Sequence, residues 1–167
     1  AASALEENQI HSGSTFHCPG YFRLGNGSFQ CWLERGHGEQ DLIGGLKHSC
    51  NVFFYRTGLL AGAEKIARTA HLFGFGQKSG IALPHEAEGF VPTPLWKRLT
   101  QGEGWYNGDT VNFSIGQGFL SVTPLQLLRM ASVIAAEGKL VEPQLVKRIG
   151  PHPAKGSKTK VLPLSQK

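Results

Sequence analysis

The chain has 167 residues, 40% hydrophobic and 17% charged, with a formal net charge of +5. That length suits one domain or a large piece of one, and the apolar content excludes a chain too polar to bury a core. No apolar run approaches the ~20 residues needed to cross a bilayer. The start, Ala1-Ala2-Ser3-Ala4-Leu5-Glu6-Glu7, lacks the basic and apolar stretches of a secretory signal and reads as if cut from a longer sequence. The basic residues are scattered except for Lys155, Lys158 and Lys160, which describes a solvated surface rather than a face for nucleic acid.

Residues 1–10 read as the end of a helix, broken by His11-Ser12-Gly13-Ser14. Tyr21-Phe22-Arg23-Leu24 and Ser28-Phe29-Gln30-Cys31-Trp32 flank Gly25-Asn26-Gly27, the pattern of a β-hairpin. Centred on Asn26, that hairpin sets Cys31 opposite Tyr21. Asp41 is the expected N-cap of a short helix to about His48, followed by a second helix from Asn51 to about Leu60. Ala63 to Phe73 forms an amphipathic pattern with Ile66, Ala70 and Phe73 on one face, stopped by Gly74. Residues 74–93 carry repeated Gly and Pro and read as loop. Thr123-Pro124 opens another helix that ends before Gly138 and is apolar nearly all round, which predicts burial on every side. Gln144 to Ile149 reads as a strand, and 151–167 as a linker-like segment after a main body spanning 1–150.

The three cysteines and one histidine follow the pattern Cys18-x12-Cys31-x5-His37-x12-Cys50. Three thiols and an imidazole are the donor set of a closed tetrahedral zinc site. Gly36 and Gly38 would let His37 approach without steric cost. A Cys18–Cys31 disulfide with one spare thiol is the competing reading for a chain outside the cytosol. Zinc is favoured over the disulfide, and both over three independent buried thiols. His17 is a fallback ligand only, and the remaining histidines read as surface or core residues.

Ser49-Cys50-Asn51 lies at the junction of two predicted helices, where a chain that is not fully helical can aim residues i and i+2 to the same side. Alone, a Ser-x-Asn is as easily a helix cap. Around it stand Cys18-Pro19-Gly20-Tyr21-Phe22-Arg23-Leu24-Gly25, Gly36-His37-Gly38, Val52-Phe53-Phe54-Tyr55, Gly80-Ile81-Ala82-Leu83-Pro84, Trp105-Tyr106-Asn107-Gly108-Asp109-Thr110, Ile115-Gly116-Gln117-Gly118 and Thr123-Pro124-Leu125-Gln126. In these ordered blocks, over roughly residues 1 to 150, the chain resembles the transpeptidase domain of class B penicillin-binding proteins, in their elongation-type branch.

The resemblance implies an α/β (α+β) fold in which helices pack on an antiparallel sheet, this chain supplying the mainly helical middle portion with a small hairpin. It implies a serine D,D-transpeptidase that cross-links peptidoglycan stem peptides, maintains cell shape and is acylated by β-lactams. Three motifs carry that chemistry: Ser-x-x-Lys, Ser-x-Asn and Lys-Ser/Thr-Gly. Ser49 and Asn51 match the second, the hydroxyl relaying a proton to the leaving group and the carboxamide holding the substrate amide. The resemblance further implies a periplasmic location at the inner membrane through an anchor outside this chain, and wall-synthesis partners such as a glycosyltransferase. The alternative is a zinc- or disulfide-stabilised interaction module without catalysis, and a third reading is an unrelated secreted disulfide protein.

Two decoys spell the other motifs. Ser157-Lys158-Thr159-Lys160 sits in a Pro/Gly/Lys stretch that could not hold a nucleophile in register, and Lys78-Ser79-Gly80 follows Asn51 too closely in a loop. Both are rejected, so the nucleophile is expected to come from polypeptide outside this chain. Gly116, Gln117 and Gly118 read either as a wall of the substrate cleft or as a glycine turn into a helix. The cysteine–histidine set, if metal-bound, is expected to pin the hairpin beside Ser49 and Asn51 without taking part in bond making.

Overall fold

The computed structural model describes residues 1–153, 156 and 158–164. The chain divides into two units, Ala1–Ala67 with Pro92–Phe119, and Arg68–Val91 with the described residues between 120 and 164.

The first unit opens with helix α1 (Ala2–Glu6), followed by strands β1 (Phe16–Cys18), β2 (Tyr21–Leu24), β3 (Gly27–Gln30) and β4 (Gly38–Gln40). β1 pairs antiparallel with β4, and β2 with β3. The hairpin closes one residue tighter than the sequence suggests. Leu24 faces Gly27 across a two-residue turn of Gly25 and Asn26, with Gly25 at a positive φ of 56°. A tight turn with glycine first matches the right-handed twist of the strands. Tyr21 therefore opposes Gln30 rather than Cys31, and Cys31 lies just past the ladder, its N–H donating to the Gly20 carbonyl at 2.8 Å.

Two helices follow almost without interruption, α2 (Leu42–Lys47) and α3 (Asn51–Ala61). Asp41 caps α2 as expected, its carboxylate accepting from the Gly44 N–H at 2.7 Å. α3 carries Val52, Phe53 and Tyr55 into the core, where they meet Val111 and the three cysteines. Phe16 tilts onto Phe53 and Phe29 meets Tyr55 edge-on. The small residue Gly58 lets α3 approach the helix that carries Ser114, since a Cβ there would collide with the Ser114 side chain.

Ser114 belongs to α6 (Asn107–Ser114), which with α5 (Pro94–Gln101) was not anticipated from the sequence. α5 uses Thr93 as its cap, followed by Pro94, and stops at Gly102. Lys97 on α5 is buried, its side chain only 4% exposed, and is satisfied by Asp109 at 2.7 Å. Asp109 also accepts the Tyr106 N–H, so one carboxylate serves both a helix start and a buried ammonium.

Helix α4 (Ala63–Leu72) ends at Gly74, which takes a φ of 89°, and from Arg68 the chain belongs to the second unit. Residues 74–93 form loops, as expected, apart from the isolated bridge of Phe90 to Ser121. Helix α7 (Pro124–Ala135) starts at Thr123 with a reciprocal cap: the Thr123 hydroxyl accepts from the Gln126 N–H, and the Gln126 side chain accepts from the Thr123 N–H. Gln126 is 1% exposed and also donates to the carbonyls of Gln77 and Glu88, so a single buried amide fastens the loop to the helix.

Three sequence expectations fail in this unit. α7 is not buried all round: only Gln126 and Val133 are buried along it, and Leu127, Leu128 and Ile134 face solvent. The strand expected over 144–149 shrinks to β6 (Arg148–Ile149), paired with β7 (His152–Pro153). The segment expected as a linker contributes β7 and β8 (Thr159–Val161), and β8 pairs antiparallel with β5 (Lys139–Val141) because its backbone completes a ladder that sequence polarity does not reveal. Among the described residues no helix is long and apolar enough to cross a membrane.

The contact at Gly58 gives a direct test. Gly58→Ala forces α3 away from α6 and should destabilise the chain by about 1–3 kcal/mol, measured by chemical denaturation. An unchanged midpoint would show that the two helices tolerate separation.

Candidate functional site

Helix α2 ends with His48 at its C-cap, and Ser49 follows with a φ of 49°. The Cys50 N–H donates to the Gly45 carbonyl at 2.9 Å and the Ser49 N–H to the Leu46 carbonyl at 3.3 Å. This pair of bonds is the Schellman motif, whose left-handed residue is usually glycine. α6 ends in the same way with Gly116 in that place, at a φ of 77°, the Gln117 N–H reaching the Asn112 carbonyl. In α2 a side chain occupies the left-handed position, at a cost of about 1–2 kcal/mol. Ser49 therefore departs from what the local backbone prefers.

The next residues alternate. Ser49 is exposed, Cys50 has 0% exposure and Asn51 is half-buried. Cys50 takes an extended backbone, so the side chains before and after it share the outward side while its own sulfur enters the core. Two cavities of about 350 and 320 Å³ lie elsewhere, one around Leu59, Lys65 and Trp105 in the first unit and one around Leu125, Arg129 and Glu142 in the second. The Ser49–Asn51 pair lies at an open edge, not in either of these cavities.

Opposite this tripeptide runs Gln30-Cys31-Trp32, and the two segments meet residue by residue. The Gln30 carbonyl accepts from the Asn51 carboxamide at 3.2 Å and from the Tyr55 hydroxyl at 3.0 Å. The Cys31 and Cys50 thiols belong to one cluster. The Trp32 indole N–H donates to the carbonyls of His48 at 2.9 Å and Ser49 at 3.1 Å. Neither Gln30 nor Trp32 was singled out in the sequence, because one acts through its backbone and the other through an exposed ring.

The sulfur atoms of Cys18, Cys31 and Cys50 and a ring nitrogen of His37 all lie within 4.8 Å of one another. The three cysteines are buried free thiols, so the Cys18–Cys31 disulfide is not the arrangement found. His17 is outside the cluster and pairs with Glu39 across β1 and β4 at 3.0 Å. His37 Nδ1 stands 3.6 Å from the Cys18 sulfur and 3.5 Å from the Cys31 sulfur. A tetrahedral ion with Zn–S of about 2.3 Å and Zn–N of about 2.0–2.1 Å requires an S···N edge of about 3.5–3.6 Å. These two S···N edges thus match a zinc tetrahedron, and the other donors stand within 4.8 Å.

Several contacts fix the histidine. His37 stacks on His48, with 5.8 Å between centroids and 8° between planes, and meets the edge of Trp32. Gln40 joins the two rings' segments, its Oε1 accepting from the His48 Nδ1–H at 2.8 Å and its Nε2 donating to the His37 carbonyl at 3.0 Å. Gly36 and Gly20 permit the chain crossing beneath, where a Cβ at Gly36 would strike the Cys18 carbonyl and one at Gly20 the Glu34 carbonyl.

Electrostatics agree with the geometry. Burial, and secondarily the nearby His48, holds His37 below its ordinary value, which keeps the imidazole neutral and able to ligate. Burial pushes the Cys50 thiol up to about 12, and the sulfurs of Cys18 and Cys31 add to the rise against a hydrogen bond from the Phe53 N–H. Burial also works to raise Cys31, but N–H groups of Leu33, Val52 and Asn51 outweigh it and bring that thiol below its usual value. Three buried sulfurs cannot all ionise side by side without a cation to balance them.

The remaining sequence candidates separate. Gly116, Gln117 and Gly118 are exposed; the first two close α6 through their N–H groups, and Gly118 takes a φ of 77°. Ser79 of the Lys78-Ser79-Gly80 decoy is buried in a loop, its N–H held by the Glu86 carboxylate at 2.8 Å and its hydroxyl accepting the Ile81 N–H. That triplet forms no strand edge. Ser157 lies outside the described residues.

A family model described as the penicillin binding protein transpeptidase domain matches residues 1–167, and the chain belongs to that family. Its mixed α/β fold is a portion of that domain. The peptidoglycan D,D-transpeptidase MrdA of Haemophilus influenzae is 34% identical over 89% of this chain and 23% of its own length. The penicillin-binding protein PBP2 from Helicobacter pylori superposes with a TM-score of 0.88 at 35% identity, covering 99% of this chain and 30% of that one. A chain from a structure described as a peptidoglycan synthase complex that coordinates polymerization and crosslinking gives a TM-score of 0.88 at 30% identity, covering 98% and 28%. The chain spans about a quarter of the length of the curated relative it matches.

Ser49→Gly tests the backbone argument. It should raise the stability of the chain by about 1 kcal/mol in thermal or chemical denaturation, because glycine relieves the left-handed strain while the exposed hydroxyl contributes no packing. A loss of stability would show that the hydroxyl itself supports the turn.

Proposed function

We propose that this chain is the middle segment of a peptidoglycan D,D-transpeptidase that cross-links D-Ala-D-Ala stem peptides through a serine acyl-enzyme and is inhibited by β-lactams. The observation that carries the reading is the outward pairing of Ser49 and Asn51 around the buried Cys50, in a chain that belongs to the transpeptidase family. In this reading the nucleophilic serine and its lysine stand on polypeptide outside these residues, and close the open edge beside the pair. The serine oxygen attacks the penultimate D-alanine carbonyl, the bond to the terminal D-alanine breaks, and its amine takes up a proton. Ser49 carries that proton toward the departing amine through its hydroxyl. Asn51 keeps its carboxamide oxygen and its second N–H for the substrate amide, because the other N–H is spent on Gln30.

The parent protein would work on the periplasmic side of the inner membrane, anchored by a segment outside this chain, beside a glycosyltransferase that supplies the polymer. The relative in a peptidoglycan synthase complex supports that partnership. Peptidoglycan stem peptides and β-lactams are its ligands, and nucleic acid is not.

Cys18, Cys31, His37 and Cys50 would hold one structural zinc, with all four positions filled by protein. The ion would supply charge balance for the thiolates and fix the hairpin to the α2–α3 junction, contributing on the order of 10 kcal/mol of local binding energy, as in small zinc peptides. It has no role in bond making.

Two measurements test these readings. Labelled penicillin should leave the 167-residue chain unmodified, and covalent labelling at Ser157 would overturn the assignment of the nucleophile to other polypeptide. Metal analysis of freshly purified chain should find one zinc per molecule, with a chelator lowering the melting temperature and Cys31→Ser abolishing binding. Protein without zinc and with a Cys18–Cys31 bond by mass spectrometry would remove the metal.

A further inference from the structure

Ser49 needs something to hold it. Its φ of 49° is strained, its side chain is exposed, and α2 behind it is only six residues long. The last carbonyls of a helix have no partner within it and must find donors elsewhere. At the end of α2 the C-cap carbonyl of His48 and the carbonyl of Ser49 just beyond it receive the same donor, the Trp32 indole N–H, at 2.9 and 3.1 Å.

Trp32 is an unusual provider of such a bond. It is 61% exposed, so burial of its ring does not account for its place. Its ring edge meets His37, 5.1 Å between centroids, and its polar atom reaches across to the turn. Indole N–H is a donor only, so it has no competing role as an acceptor. With Gln30 holding Asn51 from the same strand end, the segment 30–32 grips both outward residues of 49–51, one by a carbonyl and the other by an indole.

We propose that Trp32 is a positioning residue for Ser49, its N–H clamping the His48 and Ser49 carbonyls so that the serine hydroxyl is held in the left-handed turn at the reacting edge. This rests on the reading of Ser49 as the proton relay of a transpeptidase. The clamp acts on backbone carbonyls and leaves the Ser49 hydroxyl free for chemistry. Trp32→Phe isolates it, because the substitution retains an aromatic ring against His37 and removes only the donor and the second ring.

The test has two arms. In the 167-residue chain, Trp32→Phe should leave the metal content unchanged and lower the melting temperature by only about 2–4 °C, while the backbone amides of Ser49 and Cys50 become mobile in NMR relaxation. Unchanged amide order parameters would overturn the clamp whatever the enzyme does. In the parent transpeptidase, Trp32→Phe should lower the β-lactam acylation rate constant about tenfold with the preceding binding constant unchanged, the worth of one lost hydrogen bond to a strained turn. In a Ser49→Ala background the same substitution should cost nothing further, because the positioned hydroxyl is already gone. A full additional loss there would show that Trp32 acts by another route and overturn the proposal. If Ser49→Ala alone leaves acylation unchanged, the relay assignment of Ser49 fails instead, and the relaxation arm decides the clamp separately.

Discussion

The arrangement depends on one convergence: three sulfur atoms and one imidazole nitrogen drawn together behind the turn that joins α2 to α3. These four residues come from β1, the end of the hairpin, the loop before β4 and the N-cap of α3. None of these pieces has much regular structure of its own. Two-stranded ribbons are marginal in isolation, and α2 has six residues. What aligns them is the shared interior of Val52, Phe53, Tyr55 and Val111 with the cysteines among them. The apolar contacts bring the three sulfurs and the imidazole nitrogen close.

The candidate site was partly legible in the sequence. The three cysteines and His37 could be grouped because no other cysteines compete for pairing, and Ser49 and Asn51 because ordered blocks surround them. The two-helix junction followed from Asp41, a strong cap whose carboxylate has a short, specific bond. The grip of Gln30 and Trp32 could not be read. A backbone carbonyl has no residue identity, and an indole that reaches 17 positions along the chain leaves no trace in spacing. The one-residue error in the hairpin had a related origin, since Gly-Asn-Gly permits both a two- and a three-residue turn and only the ladder decides.

Elsewhere the misses have different causes. Helix α5 carries a Thr-Pro start like that of α7, but follows a glycine- and proline-rich stretch that masks it. Helix α6 has no clean apolar stripe, and its start is set by Asp109, a residue whose pairing with the buried Lys97 no periodicity shows. The opposite error arose in α7, where apolar composition suggested burial on all sides and the helix instead turns Leu127, Leu128 and Ile134 outward. Composition states what a segment can bury; it does not state what neighbours are there to bury it. Gln126, the one polar break in that stretch, carries the contacts that matter most to its loop.

The place of Cys50 has a mechanical consequence. It sits one residue from Ser49 and one from Asn51, so each of these residues is a single Cα step of about 3.8 Å from a residue committed to the interior. Most proteins separate a structural anchor from a working surface by layers of packing that absorb small shifts. Here no such cushion exists: the buried sulfur is flanked directly by the exposed Ser49 and the half-buried Asn51, so a change at Cys50 reaches the backbone of both neighbours. The interior therefore bears on the outward pair without an intervening layer.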